Sequence, residues 1–219
     1  MNKKNKIEKV LKQLIEKTPF YHPLRNCLHK KIQKKELKKW ENSGHFGPMP
    51  HIIKQRVLGE FARQFNLKIF VETGTYYGDM VEAMRNFFDT IYSIELSQKL
   101  FNKAKKRFKF EKNIKLIQGD SGKELGIVMK EINKPALFWL DGHYSAGVSA
   151  RGKKDSPIYE ELNCILDGQD LEHVIIIDDA HLFGTDPAYP TIDELKEFIY
   201  SKRESVQIAV DDDSIRIIL

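Results

Sequence analysis

Residues 68–78 read KIFVETGTYYG: a β-rich run, Lys68 to Glu72, passes straight into a turn that holds Gly74 and Gly78. The segment that follows, from about Gly78 to Phe88, carries its apolar residues at helical spacing. This strand-then-helix unit recurs downstream. Strands are predicted at Thr90 to Glu95, Ile114 to Gln118, Ala136 to Leu140 and His173 to Asp178. Helices are predicted after them at Ser97 to Phe108, Ser121 to Ile132, Pro157 to Leu166 and Thr191 to Ser201. Such alternation specifies a parallel sheet with helices on both faces. The ending breaks the pattern, because Val206 to Val210 and Ile215 to Leu219 are strand-like with only Asp211 to Ser214 between them. That gap is too short for a parallel crossover and predicts an antiparallel hairpin. The expected architecture is α/β, a seven-stranded, mostly parallel sheet that closes in a C-terminal hairpin.

Working back toward the N-terminus, His51 to Phe65 has a helical pattern through Ile52, Ile53, Val57, Leu58, Phe61 and Phe65, and is expected to pack on the sheet as its leading helix. Asn42 to Pro50, with two glycines and two prolines, reads as a loop. Before it lie a weaker helical pattern at Leu28 to Trp40 and an amphipathic one through Ile7, Val10, Leu11, Leu14 and Ile15, ended by Thr18-Pro19. The chain of 219 residues carries a net charge of +5, but unevenly: residues 1–68 hold 17 Lys/Arg against 5 Asp/Glu, and residues 69–219 hold 19 against 26. A basic helical extension, residues 1–67, thus precedes an acidic body, residues 68–219. Two cysteines, Cys27 and Cys164, exclude a disulfide framework or a zinc site built from cysteine alone. The longest apolar run, Val174 to Ile177, is too short for a transmembrane helix, and the lysine-rich opening lacks a signal-peptide pattern, so a cytoplasmic location is expected.

In open α/β sheets ligands sit beyond the carboxyl ends of the strands. The turn Glu72-Thr73-Gly74-Thr75-Tyr76-Tyr77-Gly78 follows the first strand with glycines that permit a tight turn and a close backbone approach, or simply a plain loop. Its spacing is not the G-x-G-x-x-G of a pyrophosphate-binding turn, which disfavours a nicotinamide enzyme. Glu95 ends the second strand, where a carboxylate can accept from both hydroxyls of a ribose. Asp120, in Gly119-Asp120-Ser121, ends the third, where it either accepts from an adenine amino group or caps the next helix.

With these residues in place, the body resembles a Rossmann-like class I S-adenosylmethionine (SAM)-dependent methyltransferase. The resemblance covers residues 69–219, including the terminal hairpin, and leaves the basic extension outside it. It implies that Gly74, with Thr75 and Gly78 in the same turn, lies against SAM, that Glu72 serves the methionine end, that Glu95 binds the ribose, and that Asp120 and Ser121 lie near the adenine.

Asp141-Gly142-His143 ends the fourth strand and Asp178-Asp179-Ala180-His181 the fifth, and these strands are neighbours in such a fold. Adjacent carboxylates repel unless something positive lies between them. Asp141, Asp178 and Asp179 together suit Mg²⁺ or another divalent cation, which prefers oxygen ligands. A cap or loop role with no metal is the alternative. The pattern is similar to the metal-dependent macrocin and antibiotic-sugar O-methyltransferases, whose aspartates hold a divalent cation. That resemblance implies an acceptor hydroxyl activated beside the cation and methylated in line by the sulfonium. Asp141 and His143 are then the catalytic candidates, with His143 as the general base and His181 as a second candidate. Those enzymes tend to carry aspartate where His143 stands, which leaves the base open, with substrate binding or metal ligation as the other roles for His143. Tyr144 to Pro157 reads as a lid or a solvated loop, and Tyr76, Tyr77 and Tyr144 as acceptor-pocket or packing residues.

The expected function is SAM-dependent O-methylation of a small, polyhydroxylated, sugar-like acceptor. Two alternatives stand beside it. One is an RNA methyltransferase whose basic extension tracks phosphates, against which the Asp141-Gly142-His143-Tyr144 motif is not of the Asn/Asp-Pro-Pro-Tyr type. The other is a methyltransferase-like binding protein without activity. The extension itself reads as a cap over the acceptor, a dimerisation element forming a homo-oligomer, or a basic surface for nucleic acid or a membrane.

Overall fold

The computed structural model describes residues 21–44, 47–141 and 156–219, with side chains from residue 32 onward. Two compact units are distinguished: one runs to residue 46 and includes residues 50–52, and the other comprises residues 47–49 and 53–219. In the first, α1 (Tyr21–Asn42) is longer than the weak pattern at Leu28 to Trp40 predicts. Pro23 falls in its first turn, where a missing N–H costs no helical bond. Lys34, Lys35, Lys38 and Lys39 are exposed along it. The amphipathic pattern at Ile7 to Ile15 lies outside the described residues.

The second unit is a seven-stranded sheet in the order β3-β2-β1-β4-β5-β7-β6. Its strands are β1 (Ile69–Thr73), β2 (Thr90–Glu95), β3 (Ile114–Gln118), β4 (Ala136–Leu140), β5 (Val174–Ile177), β6 (Gln207–Asp211) and β7 (Ser214–Ile218). Pairing is parallel from β3 through β5 and antiparallel for β5–β7 and β7–β6. The β6–β7 turn, Asp212-Asp213, has both residues at positive φ, 47° and 61°, the conformation that matches a right-handed hairpin twist. This is the Rossmann-like sheet and terminal hairpin expected from the sequence.

Helices connect the strands: α2 (His51–Gln64), α3 (Asp79–Met84), α4 (Gln98–Arg107), α5 (Ser121–Val128), α6 (Ile158–Leu166) and α7 (Ile192–Lys202). Their starts have identifiable causes. Ser97 caps α4, Asp120 caps α5, and Thr191 with Glu194 forms a reciprocal capping box on α7. One side of the sheet buries Val71, Phe138, Leu140, Ile175 and Ile177 against Leu125, Val128, Ile158, Leu162, Leu195 and Ile199 of α5 to α7. Alternate strand residues face the other way, Phe70 stacking on Phe88 with ring centroids 5.1 Å apart. Strand alternation also sorts the polar residues. Glu72, Trp139, Asp141 and Asp178 share the parity of Phe70, and Thr73 that of Val71. Among the described residues no helix is long and apolar enough to cross a membrane.

Candidate active site

Every parallel strand delivers its last residues to the same edge. Backbone bonds from Gly74 N to Ile94 O (2.9 Å), Gly119 N to Glu95 O (3.1 Å), Asp141 N to Thr73 O (3.2 Å) and Asp178 N to Leu140 O (3.1 Å) carry the pairing one step past the strands. The residues singled out at the strand ends therefore lie along one line.

The turn after β1 is a run of left-handed residues, Gly74 (φ 87°), Tyr76 (φ 50°) and Gly78 (φ 76°). Only glycine adopts that region without cost, so Tyr76 is held there by its surroundings. Glu95 is what holds it: one carboxylate oxygen accepts from Tyr76 N and the other from Ser97 N, both at 2.7 Å. Arg107 closes the turn from outside, donating to Tyr77 O at 2.7 Å and Asp79 Oδ1 at 2.6 Å. Gly78 has a second constraint, since a Cβ there would stand 2.6 Å from the Phe108 ring. Thr75 is buried, and its hydroxyl lies 2.6 Å from Ser93 Oγ, which in turn donates to Glu72. Because Ser93 has one proton to give, Thr75 is the donor to Ser93.

Glu72 and Glu95 are 1% and 5% exposed. Burial pushes Glu72 up to about 8, opposed by the Ser93 hydroxyl and reinforced by the charges of Glu95 and Asp79. Burial also raises Glu95, against the lowering by its two backbone donors. Among the described residues, no lysine or arginine bonds either carboxylate. Asp120 accepts from Gly122 N at 3.1 Å, the helix-capping role, while Ser121 is buried beside Glu161.

On the far side of β1, Asp141, Asp178 and Asp179 come together, each offering an oxygen within 4.8 Å of the others. Asp178 is 1% exposed and its Oδ1 has no hydrogen-bond partner among the described residues. Its Oδ2 accepts from Lys54 of α2, whose ammonium is also 3.8 Å from Asp179 Oδ1. Burial, then the Asp178 charge, raise Asp141 well above the carboxylate range. Burial raises Asp178 to about 6 despite Lys54. Burial alone would lower Lys54, but Asp178, Asp141 and Asp179 outweigh it and hold the ammonium above its ordinary value.

Asp179 also belongs to a second group with His181 and Asp213. His181 Nδ1 is 2.9 Å from both Asp213 oxygens, and His181 N donates to Asp213 Oδ1 at 2.8 Å. His143, with Tyr144 and most of the segment read as a lid, lies outside the described residues.

Three residues of this edge escaped the sequence reading. Lys54 is one lysine among many in the basic segment, and only the packing of α2 brings it to Asp178. Asp213 reaches His181 because the antiparallel β7 starts at the carboxyl end of β5. Glu161 did leave a signal, since it falls within the apolar stripe Ile158, Leu162, Ile165 of α6. It is 1% exposed, and burial pushes it up to about 7 against the Ser121 and Thr73 hydroxyls.

No family model matches this chain, and no curated protein matches it in sequence. Solved structures share its fold. An O-methyltransferase from Bacillus cereus in complex with SAH superposes with a TM-score of 0.56 at 13% identity, over 86% of this chain and 90% of that one. The SAH-bound methyltransferase PaMTH1 of Podospora anserina gives 0.54 at 18% identity, over 91% and 97%. The O-methyltransferase TomG of Streptomyces achromogenes, involved in tomaymycin synthesis and in complex with SAM, gives 0.51 at 18% identity, over 76% and 78%. At these identities the likeness shows the fold, which is that of SAM-dependent methyltransferases.

Proposed function

We propose that this chain is a SAM-dependent methyltransferase that methylates an oxygen of a small, polyhydroxylated, sugar-like acceptor beside a divalent cation. The observation that carries the cofactor reading is the pair Glu72 and Glu95: two buried carboxylates on adjacent strand ends with no basic side chain bonded to either among the described residues. Buried acids without a cation are unfavourable in isolation. SAM supplies what the pair lacks, a ribose diol and two cationic centres, together with the methyl group of the reaction. Each Glu95 oxygen accepts one backbone N–H and keeps a lone pair for a ribose hydroxyl. The Thr75–Ser93 relay fixes one Glu72 oxygen and leaves the other for an ammonium. Gly74 keeps the turn open to a close approach, and Asp120 and Ser121 stand at the next strand end.

The donor set on the other side fits a divalent cation. Asp141, Asp178 and Asp179 are all oxygen ligands, and Asp178 has a buried oxygen without a partner among the described residues. A cation held there would lower the pKa of an acceptor hydroxyl. Removal of that proton falls to a histidine, His143, two residues past Asp141 in the sequence, as first candidate, or His181, which Asp213 orients. The sugar-like acceptor rests on the resemblance to the antibiotic-sugar enzymes.

Calorimetry with SAM, in Mg²⁺ and in chelator, tests the reading. Binding is expected, and Glu95→Gln should weaken it about tenfold to a hundredfold, as for loss of a charge-assisted hydrogen bond. No binding under either condition would overturn it. Replacing Asp178 with Asn should abolish any stimulation of turnover by Mg²⁺, and stimulation that survives would remove the cation site from these aspartates.

A further inference from the structure

The acidic cluster is met by a cation from its own chain. Lys54 has a side chain 13% exposed, in a helix whose neighbours Ile53, Val57 and Leu58 are buried. A lysine drawn into such surroundings needs a partner. It has one in Asp178, with a second carboxylate, Asp179, 3.8 Å away. Its ammonium also lies 5.9 Å from the centre of the Trp139 ring, on the same side of the sheet. The β4 strand thus offers it an aromatic face beside the carboxylate.

We propose that Lys54 is the resident cation of the Asp141–Asp178–Asp179 cluster and that a divalent ion enters only by displacing it. The inference rests on the cation reading of that cluster. Without a positive charge these acids repel one another, so the lysine keeps the cluster assembled when no divalent ion is bound. A divalent ion sharing Asp178 and Asp179 must take oxygens that the ammonium already holds or faces. Two cations at one small cluster are mutually unfavourable, and the lysine is the one on a flexible stem. Trp139 gives the released ammonium a nearby face to rest on. Lys54 thereby sets the divalent-ion concentration at which the site fills.

The test is a Mn²⁺ titration of the full-length protein, followed by the electron paramagnetic resonance signal of free Mn²⁺, with Lys54→Met and Lys54→Gln beside the wild type. Both variants should bind Mn²⁺ at least tenfold more tightly, and adding Asp178→Asn to either should remove that binding. Their thermal midpoints should rise more on adding Mn²⁺ than the wild-type midpoint does. A merely structural lysine would lower the midpoint without tightening the metal. Wild-type binding with equal or weaker binding in the variants overturns the displacement and leaves the cation reading standing. Absence of Mn²⁺ binding in all three proteins overturns both. Should the variants fail to fold, lysine labelled with ¹³C and ¹⁵N in the wild type answers instead. Mg²⁺ should shift the Lys54 side-chain resonance, and Mg²⁺ binding that leaves it unmoved overturns the proposal.

Discussion

Among the described residues Glu72 has one hydrogen-bond partner, the Ser93 hydroxyl, and burial pushes its carboxyl up to about 8. At neutral pH it is therefore mostly protonated in the free protein. A ligand that brings positive charge favours the ionised form and must expel that proton. SAM binding at pH 7 should accordingly release about one proton, visible as a dependence of the calorimetric heat on buffer ionisation enthalpy. Affinity should rise with pH up to about 8 and then level off. Glu72→Gln should remove both effects. Proton uptake, or heats independent of buffer, would contradict the placement of a cationic ligand against Glu72. The two carboxylates were legible in the sequence as acids at strand ends. Their burial, and the lack of a bonded cation among the described residues, were not, because the residues that could have neutralised them come from elsewhere in the chain.

The turn between β1 and α3 shows what an element adds. In sequence, Gly74 and Gly78 have two readings, a tight turn that lets a ligand approach or a plain loop. In the structure Gly78 is fixed by its own φ of 76° and by the Phe108 ring at the end of α4, 2.6 Å from where a Cβ would stand. Gly78→Ala should destabilise the fold by roughly 2–4 kcal/mol, from left-handed strain plus overpacking. Urea unfolding measures the loss, and Phe108→Ala in the same chain should recover the overpacking part. A loss below about 0.5 kcal/mol, the range of an inert surface change, would contradict the geometry. The elements themselves read well because their patterns are local. Strands β2, β3 and β4 match the predicted spans, and the hairpin was set by a gap too short for a crossover. The α1 helix read poorly because its apolar positions are sparse among lysines.

Across the whole molecule, buried titratable groups set opposing pH dependences. Glu72 and Glu161 are raised from 4.5 to about 8 and about 7, so the stability they contribute is full below their unfolded value and is lost as pH rises through 7 to 8. His173 runs the other way. It is fully buried, accepts from Ala136 N at 3.1 Å, and burial, then the Arg203 charge, lower it to about 4. Its contribution is present above 6.5 and lost as pH falls toward 4. The thermal midpoint in chelator should therefore fall between pH 6.5 and 8.5, and Glu161→Gln should flatten that fall. A midpoint that rises over the same range would contradict the burial of these acids. The sequence by itself determined the order of strands and helices, the terminal hairpin, the partition of charge into a basic extension and an acidic body, and the acids at the strand ends. All of these follow from neighbours in the chain, through periodicity, turn length and residue type. Only the tertiary structure decided that Lys54 meets Asp178, that Asp213 holds His181, and that Glu161 is enclosed beside Thr73 and Ser121. These contacts join residues 124, 32 and up to 88 positions apart, and no local pattern encodes which distant side chain the packed sheet will place beside an acid.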